Sequence, residues 1–164
     1  MFRNRKETVT SITKLKTSRI LEQSLEEAFP AVDPGVEPFG SLVLLQIKAA
    51  ATKTKSGLVL TNPTVETESD NTRVAKVIAA GPLAFHDRAK QEPWPEGAWA
   101  QPGDYVRIGL YGGDRWRVLV EEFESRDRNG NKVVEKIFAE FALIEDLNLK
   151  GKVTGDPLAQ LAFI

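Results

Sequence analysis

Val118-Leu119-Val120-Glu121-Glu122-Phe123 and Val133-Val134-Glu135-Lys136-Ile137-Phe138 flank the dipeptide Asn129-Gly130. Asn-Gly supplies the positive φ angles of a tight primed turn. Between two apolar-rich segments it is the strongest short-range signal for a β-hairpin. The segments upstream read the same way. Leu42-Val43-Leu44-Leu45-Gln46-Ile47 is a continuous apolar run, suited to a strand covered on both faces. Val74-Ala75-Lys76-Val77-Ile78-Ala79 is another strand and stops at Gly81-Pro82. Gly103-Asp104 turns into Tyr105-Val106-Arg107-Ile108-Gly109-Leu110, where Val106, Ile108 and Leu110 share a face. Gly112-Gly113-Asp114 turns into Trp116-Arg117-Val118-Leu119-Val120, and residues 141–149 close the body. Six or so short strands separated by regular turn signals predict an all-β fold, a small antiparallel barrel or sandwich, over residues 38–150.

The ends differ from the body. Residues 1–19 hold six basic side chains (Arg3, Arg5, Lys6, Lys14, Lys16, Arg19) against the single acid Glu7. Residues 20–37 hold five acids (Glu22, Glu26, Glu27, Asp33, Glu37) and no base. A basic arm followed by an acidic stretch is an appendage pattern, either a solubilising tail or an arm for an acidic partner. Ile20, Leu21, Leu25, Ala28 and Phe29 recur at helical spacing, with Thr17 or Ser18 as a cap and Pro30 as the stop. This predicts an amphipathic helix over residues 18–29 whose apolar stripe needs a partner. Residues 30–40 form a Pro/Gly-rich linker, so residues 1–37 are read as an N-terminal extension. Residues 151–164 form a tail ending in Leu161-Ala162-Phe163-Ile164.

Composition excludes several chemistries. The 164 residues carry a net charge of −1, with 41% hydrophobic and 27% charged residues, as in ordinary globular proteins. With no cysteine there is no thiolate nucleophile, disulfide or cysteine zinc site. The one histidine, His86, stands beside Asp87, but no nucleophile or oxyanion site is near, so it reads as a surface loop residue. No P-loop motif occurs, and the carboxylates are scattered. The expectation is a protein that is not an enzyme, with no catalytic residue, metal or cofactor. No apolar run approaches the roughly 18 residues of a membrane span, and no secretory signal follows Met1. A near-neutral charge, with no basic, aromatic-laced strand face, argues against nucleic-acid binding.

Between the first two strands lies Lys53-Thr54-Lys55-Ser56-Gly57-Leu58-Val59-Leu60-Thr61, a polar stretch followed by an isolated apolar triplet. Then come Val74 to Gly81, a long loop over residues 83–101 holding Trp94 and Trp99, Pro102-Gly103-Asp104-Tyr105-Val106, Tyr111-Gly112-Gly113, and Ile144-Glu145-Asp146-Leu147. In this order, from Pro38 to about Leu149, the features resemble the GroES-type co-chaperonin family, chaperonin-10. The resemblance covers roughly two-thirds of the chain. It implies a GroES-like barrel with a mobile loop whose Gly57, Leu58, Val59 and Leu60 dock on a chaperonin ring. It also implies a roof loop with Trp94 and Trp99, and a ring-shaped homo-oligomer, a heptamer in that family. Neighbouring subunits would pair through edge strands, for which 42–47 and 141–149 are the candidates. The partner chaperonin would bind ATP, and the setting would be the cytoplasm. The triplet otherwise reads as a short strand of the body, and the two tryptophans as packing on their own barrel.

Residues 1–35 have no counterpart in the family, the hairpin over 121–136 is longer than a typical member needs, and the apolar tail is additional. A divergent member of this kind suits a virus or phage, and leaves a second reading: a structural or decoration protein of a viral particle, with capsid or other virion proteins as partners.

Overall fold

The computed structural model of the chain describes residues 21–50, 53–54, 73–109 and 112–159. The basic arm, the Gly57-Leu58-Val59-Leu60 motif, Tyr111 and the end of the apolar tail lie outside them. The described strands, in chain order, are β1 (Leu21–Glu22), β2 (Leu42–Ile47), β3 (Lys53–Thr54), β4 (Val74–Ala80), β5 (Tyr105–Ile108), β6 (Asp114–Arg126), β7 (Lys132–Glu145) and β8 (Leu149–Lys152). A single helical turn, α1 (Leu25–Ala28), is the one α-helix among the described residues. The all-β reading therefore stands.

Six strands form one antiparallel sheet in the order β6-β7-β2-β4-β5-β8, and β1 pairs with β3 as a separate ribbon. The sheet is open, with β6 and β8 at its two ends, so the expected closed barrel is not formed by the described strands. The physical reason lies in the loop after β4. Its Ala84, Phe85 and Ala100 are buried in the core formed by Val43, Leu45 and Ile47 of β2, Val77 of β4, Val106 and Ile108 of β5 and Ile144 of β7. A loop that covers the core face removes the need for the sheet to close on itself.

β2 is the centre of the sheet. Its alternate residues Val43, Leu45 and Ile47 face that core, while Leu44 packs with Ala139 and Phe141 on the opposite side. This is the two-sided burial expected of an uninterrupted apolar run. Both edges of β2 are occupied, by β4 and β7, and residues 141–143 lie between β2 and β6. Residues 42–47 and 141–143 are therefore not free for the expected pairing between neighbouring subunits, whereas Leu149 at the end of the second candidate opens the edge strand β8. The outer edges belong to β6 and β8.

The linker is not a loose connector. Gln46 donates from Nε2 to the Pro30 carbonyl at 2.8 Å, Trp116 donates from Nε1 to the Pro34 carbonyl at 3.0 Å, and Val32 packs on the Leu44–Phe141 side. Residues 30–34 thus strap the second face of the sheet.

The predicted helix over 18–29 is corrected to one turn. The Ser24 hydroxyl accepts from the Glu27 amide at 3.1 Å and the Glu27 carboxylate accepts from the Ser24 amide at 3.0 Å, a capping box. The helix therefore starts at Leu25 and runs into Pro30, while Leu21–Glu22 upstream is strand. The apolar stripe is broken as well: Ala28 and Phe29 are buried with Val74 and Leu158, but Leu25 is exposed. Leu158 comes from a single 3-10 turn, Pro157–Ala159, so the first part of the tail folds back on the body.

Residues 118–123 and 133–138 pair as predicted, within a ladder running from Asp114–Leu143 to Arg126–Lys132. The turn type differs. The Gly130 amide donates to the Asp127 carbonyl and the Asp127 amide to the Asn131 carbonyl, both at 3.0 Å. Gly130 has φ 80°, whereas Asn129 is not among the residues with positive φ. This is a three-residue loop with Gly130 as its left-handed closing residue. The Asp127 carboxylate fixes it by accepting from the Asn129 and Asn131 amides at 2.9 and 2.8 Å.

Candidate functional site

Of the residues singled out in sequence, Gly57, Leu58, Val59 and Leu60 lie outside the described residues. The strands that flank the segment are placed. β3 leads into it, and β4 begins after it, at Val74, beside the end of β2, where Ile47 pairs with Ala75.

Trp94 and Trp99 lie together in the loop between β4 and β5. Their ring centroids are 4.5 Å apart, and Phe85 lies 5.5 Å from Trp94, edge on, and 6.4 Å from Trp99. Offset and edge contacts of this kind are the favoured aromatic geometries. Trp94 packs against the main core of its own chain. Trp99 is 39% exposed, and its Nε1 donates to the Glu96 carboxylate at 2.8 Å. Trp99 also borders a cavity of about 360 Å³ with Glu96, Val106, Leu149 and Lys152. The cluster thus has an inner ring that builds the core and an outer ring that presents a surface.

The support for this loop is a residue quoted only as part of a closing motif. Asp146 is 1% exposed; one carboxylate oxygen accepts from the Phe85 amide at 2.9 Å and the other from the Leu147 amide at 2.8 Å. Phe85 has φ 61°, a left-handed conformation unusual for a bulky residue. It persists because its amide is held by Asp146, its carbonyl accepts from the Trp94 amide at 2.9 Å, and its ring is buried. Outside this latch, Arg88 pairs with Glu145 and also donates to the Ser41 hydroxyl, so the loop is held to the end of β7 and the start of β2. Gly81, where the loop leaves β4, sits so close to Gly40 that an added Cβ would lie 2.2 Å from its carbonyl oxygen.

His86 and Asp87 do not make a base and orienter pair with each other. His86 Nδ1 is 2.8 Å from the Ala84 carbonyl, and the Asp87 carboxylate accepts from the Ala89 and Lys90 amides. At the other end of the loop the Asp104 carboxylate accepts from the Gln101 amide at 2.8 Å and pairs with Lys152 Nζ at 3.3 Å. Those partners, the amide first, hold its carboxyl below the ordinary aspartate range. Among the described residues there is no group of three or more side chains suited to a metal ion, and no helix is long and apolar enough to cross a membrane.

Sequence reasoning missed the surface of the β6–β7 hairpin. Leu119, Phe123, Val133, Val134, Ile137 and Phe138 are all between 39% and 52% exposed. The signal was present: the segments that predicted the hairpin contain more apolar residues than one buried face can use.

No protein-family model matches the chain. The chain is similar to the co-chaperonin GroES of Syntrophomonas wolfei, with 29% identity over 89 residues, covering 54% of this chain and 84% of that relative.

Proposed function

We propose that the chain is a co-chaperonin-like lid, which docks on a chaperonin ring through Gly57-Leu58-Val59-Leu60 and assists ATP-dependent protein folding in the cytoplasm. The observation that carries this reading is the similarity to a GroES co-chaperonin over most of that relative's length. The antiparallel sheet, and the long loop held over its core face, agree with it.

The triplet's energetics demand a ring. Burying three such side chains yields roughly 4.5–9 kcal/mol, at about 1.5–3 kcal/mol each. Ordering a dozen loop residues costs about 1–2 kcal/mol per residue. One copy does not by itself repay that cost, and binding calls for linked copies that raise each other's effective concentration. A homo-oligomeric ring, a heptamer by resemblance, supplies that linkage. Trp99, on the outward side of the aromatic cluster, is the residue of the loop best placed to meet a neighbour or an enclosed client. The lid binds no ATP itself and needs no cofactor; the nucleotide belongs to the chaperonin.

A second reading rests on the hairpin. Its exposed apolar side chains suit a chain that is embedded in a larger assembly, such as the particle of a virus that encodes it. The two readings separate on Val59→Asp. For a lid, mixing with a chaperonin ring and ATP gives a capped complex for wild type and none for the variant, with an unchanged melting temperature. A charge carried into an apolar groove costs at least several kcal/mol per copy. Wild-type capture by a variant that melts lower would remove the triplet from the docking role.

A further inference from the structure

The β6–β7 hairpin projects beyond β2. The last β2 pair on β7 is Ile47–Glu140, whereas β7 pairs with β6 as far as Lys132. Directly opposed residues of an antiparallel ladder point to the same face. The register therefore divides the projecting part into two unlike faces. One carries Leu119, Phe138 and Val134 but also Glu122 with Lys136, Glu124, and Arg126 with Lys132, a surface where apolar side chains are interleaved with charges of both signs. The other carries Val118, Ile137, Phe123 and Val133 with the carboxylates Glu121 and Glu135, and continues the buried Leu44–Phe141 face outward. Every lysine and arginine of the two strands (Arg115, Arg117, Arg126, Lys132, Lys136) falls on the mixed face. The apolar face has acids and no base.

At the root of this face lies a groove of about 740 Å³. Val120, Ile137, Pro30, Ala31, Ala49 and Ala50 line it, and the charged residues among its described lining are Glu26, Glu27 and Glu121. None of its described lining residues is a lysine or an arginine. Gln23 and Ser24 also border the groove, so the chain upstream of Leu21 starts at its rim.

We propose that the chain's own N-terminal arm, residues 1–20, enters this groove and lies along the apolar, carboxylate-edged face of the hairpin. Three observations select this occupant. The charges are complementary: six bases against one acid in residues 1–19, facing Glu26, Glu27, Glu121 and Glu135. The arm brings its own apolar residues, Val9, Ile12, Leu15 and Ile20, to a face that needs cover. It is also long enough: 20 extended residues span about 66 Å, while the nine residues from Val118 to Arg126 span about 30 Å. The other nearby segment outside the described residues fits worse. Residues 55–72 carry Lys55 and Arg73 follows them, but their own acids are Glu66, Glu68 and Asp70, a like-charge approach to an acidic groove. Leu21 is already paired with Thr54, so docking is intramolecular and loses no translational freedom. An isolated two-stranded ribbon is marginal in water, and the arm would supply its third layer.

The chain has no cysteine, which makes a single label clean. Full-length Ser11→Cys carrying a benzophenone maleimide is irradiated, and the adducts are mapped by mass spectrometry on a mixture of light and isotopically heavy chains. The expected result is light–light and heavy–heavy adducts within residues 118–125 and 133–137. Mixed light–heavy adducts would mean that a second copy supplies the cover, and would overturn the proposal. So would adducts confined to residues 55–72, or none on the hairpin. Hydrogen exchange gives an independent reading. In full-length Lys14→Glu/Lys16→Glu/Arg19→Glu, amides of residues 118–125 and 133–138 should exchange at least fivefold faster while those of 42–47 keep their wild-type rates. Unchanged hairpin exchange would also overturn it.

Discussion

β7 passes through two environments. From Glu140 to Leu143 it is flanked by both β6 and β2, and in and beside this stretch Ala139, Phe141, Ala142 and Ile144 are buried. From Lys132 to Phe138 it keeps β6 as a partner, interrupted only by a register shift at Val120 of β6, yet all seven residues are exposed. Backbone pairing is thus common to both halves, and the difference is the layer above and below. The inner half has the loop with Phe85 on one side and the 30–34 strap on the other. Hydrogen bonds fix where a strand runs, while burial decides how much its side chains stabilise.

The sharpest way to break this comparison is to truncate one phenylalanine in each half. Phe141 is fully buried and stacks on Trp116 at a centroid distance of 6.0 Å. Phe141→Ala should lose about 3–5 kcal/mol in urea unfolding, the range for an aromatic removed from a core. Phe138→Ala, three positions away and 44% exposed, should lose less than about 1 kcal/mol. Equal losses would mean that the outer half is as tightly covered as the inner.

The same contrast explains what could be read in the sequence. The apolar run 42–47, the hairpin 118–138 and the turn at Gly103-Asp104 were legible because each is a local pattern with a local cause. The open sheet was not. Closure depends on whether a loop such as 83–101 occupies the core face, and that is decided by contacts like Asp146 to Phe85, 61 positions apart in sequence. The short helix was a misread cap: Ser24 and Glu27 carry a capping box, but the apolar spacing from Ile20 onward drew the start upstream. In the candidate site, the Trp94–Trp99 pairing was visible as composition only. The latch beneath it needed the structure.

That latch is the next largest effect. Asp146→Ala leaves the buried Phe85 amide without an acceptor, a cost of about 1–3 kcal/mol, and removes what holds Phe85 at positive φ. Tryptophan fluorescence should report it before global unfolding, since Trp94 and Trp99 both contact Phe85. A variant with wild-type emission and stability would show that the buried ring alone holds the loop.

In the outer half the corresponding test is Gly130→Ala. The φ of 80° belongs to the left-handed region, which costs an L-residue roughly 1–2 kcal/mol. The loss should appear as faster hydrogen exchange in residues 123–135 with residues 42–47 unaffected, because the turn closes only the projecting ribbon. A change that spreads equally into β2 would instead join the two halves into one cooperative unit.

The smallest effect lies at the edge of the body, and its sign is set by Asp104. Its carboxyl is held below the ordinary range first by the Gln101 amide; desolvation opposes this, and the hydrogen bond and charge of Lys152 add smaller lowering contributions. A depressed folded value means that the charged form favours the native state. The contribution is complete above the unfolded aspartate value of about 3.9 and is lost as pH falls through the lower folded value. Asp104→Asn should therefore melt below wild type at pH 7, and the gap should narrow progressively from about pH 4 downward. Lys152→Ala tests which partner dominates. Because the amide is the larger cause, that variant should keep most of the pH-dependent difference, and added salt should change it little. If Lys152→Ala abolished the difference, the ion pair would be the dominant partner, and this part of the loop would be held by a surface charge contact instead of by its own turn.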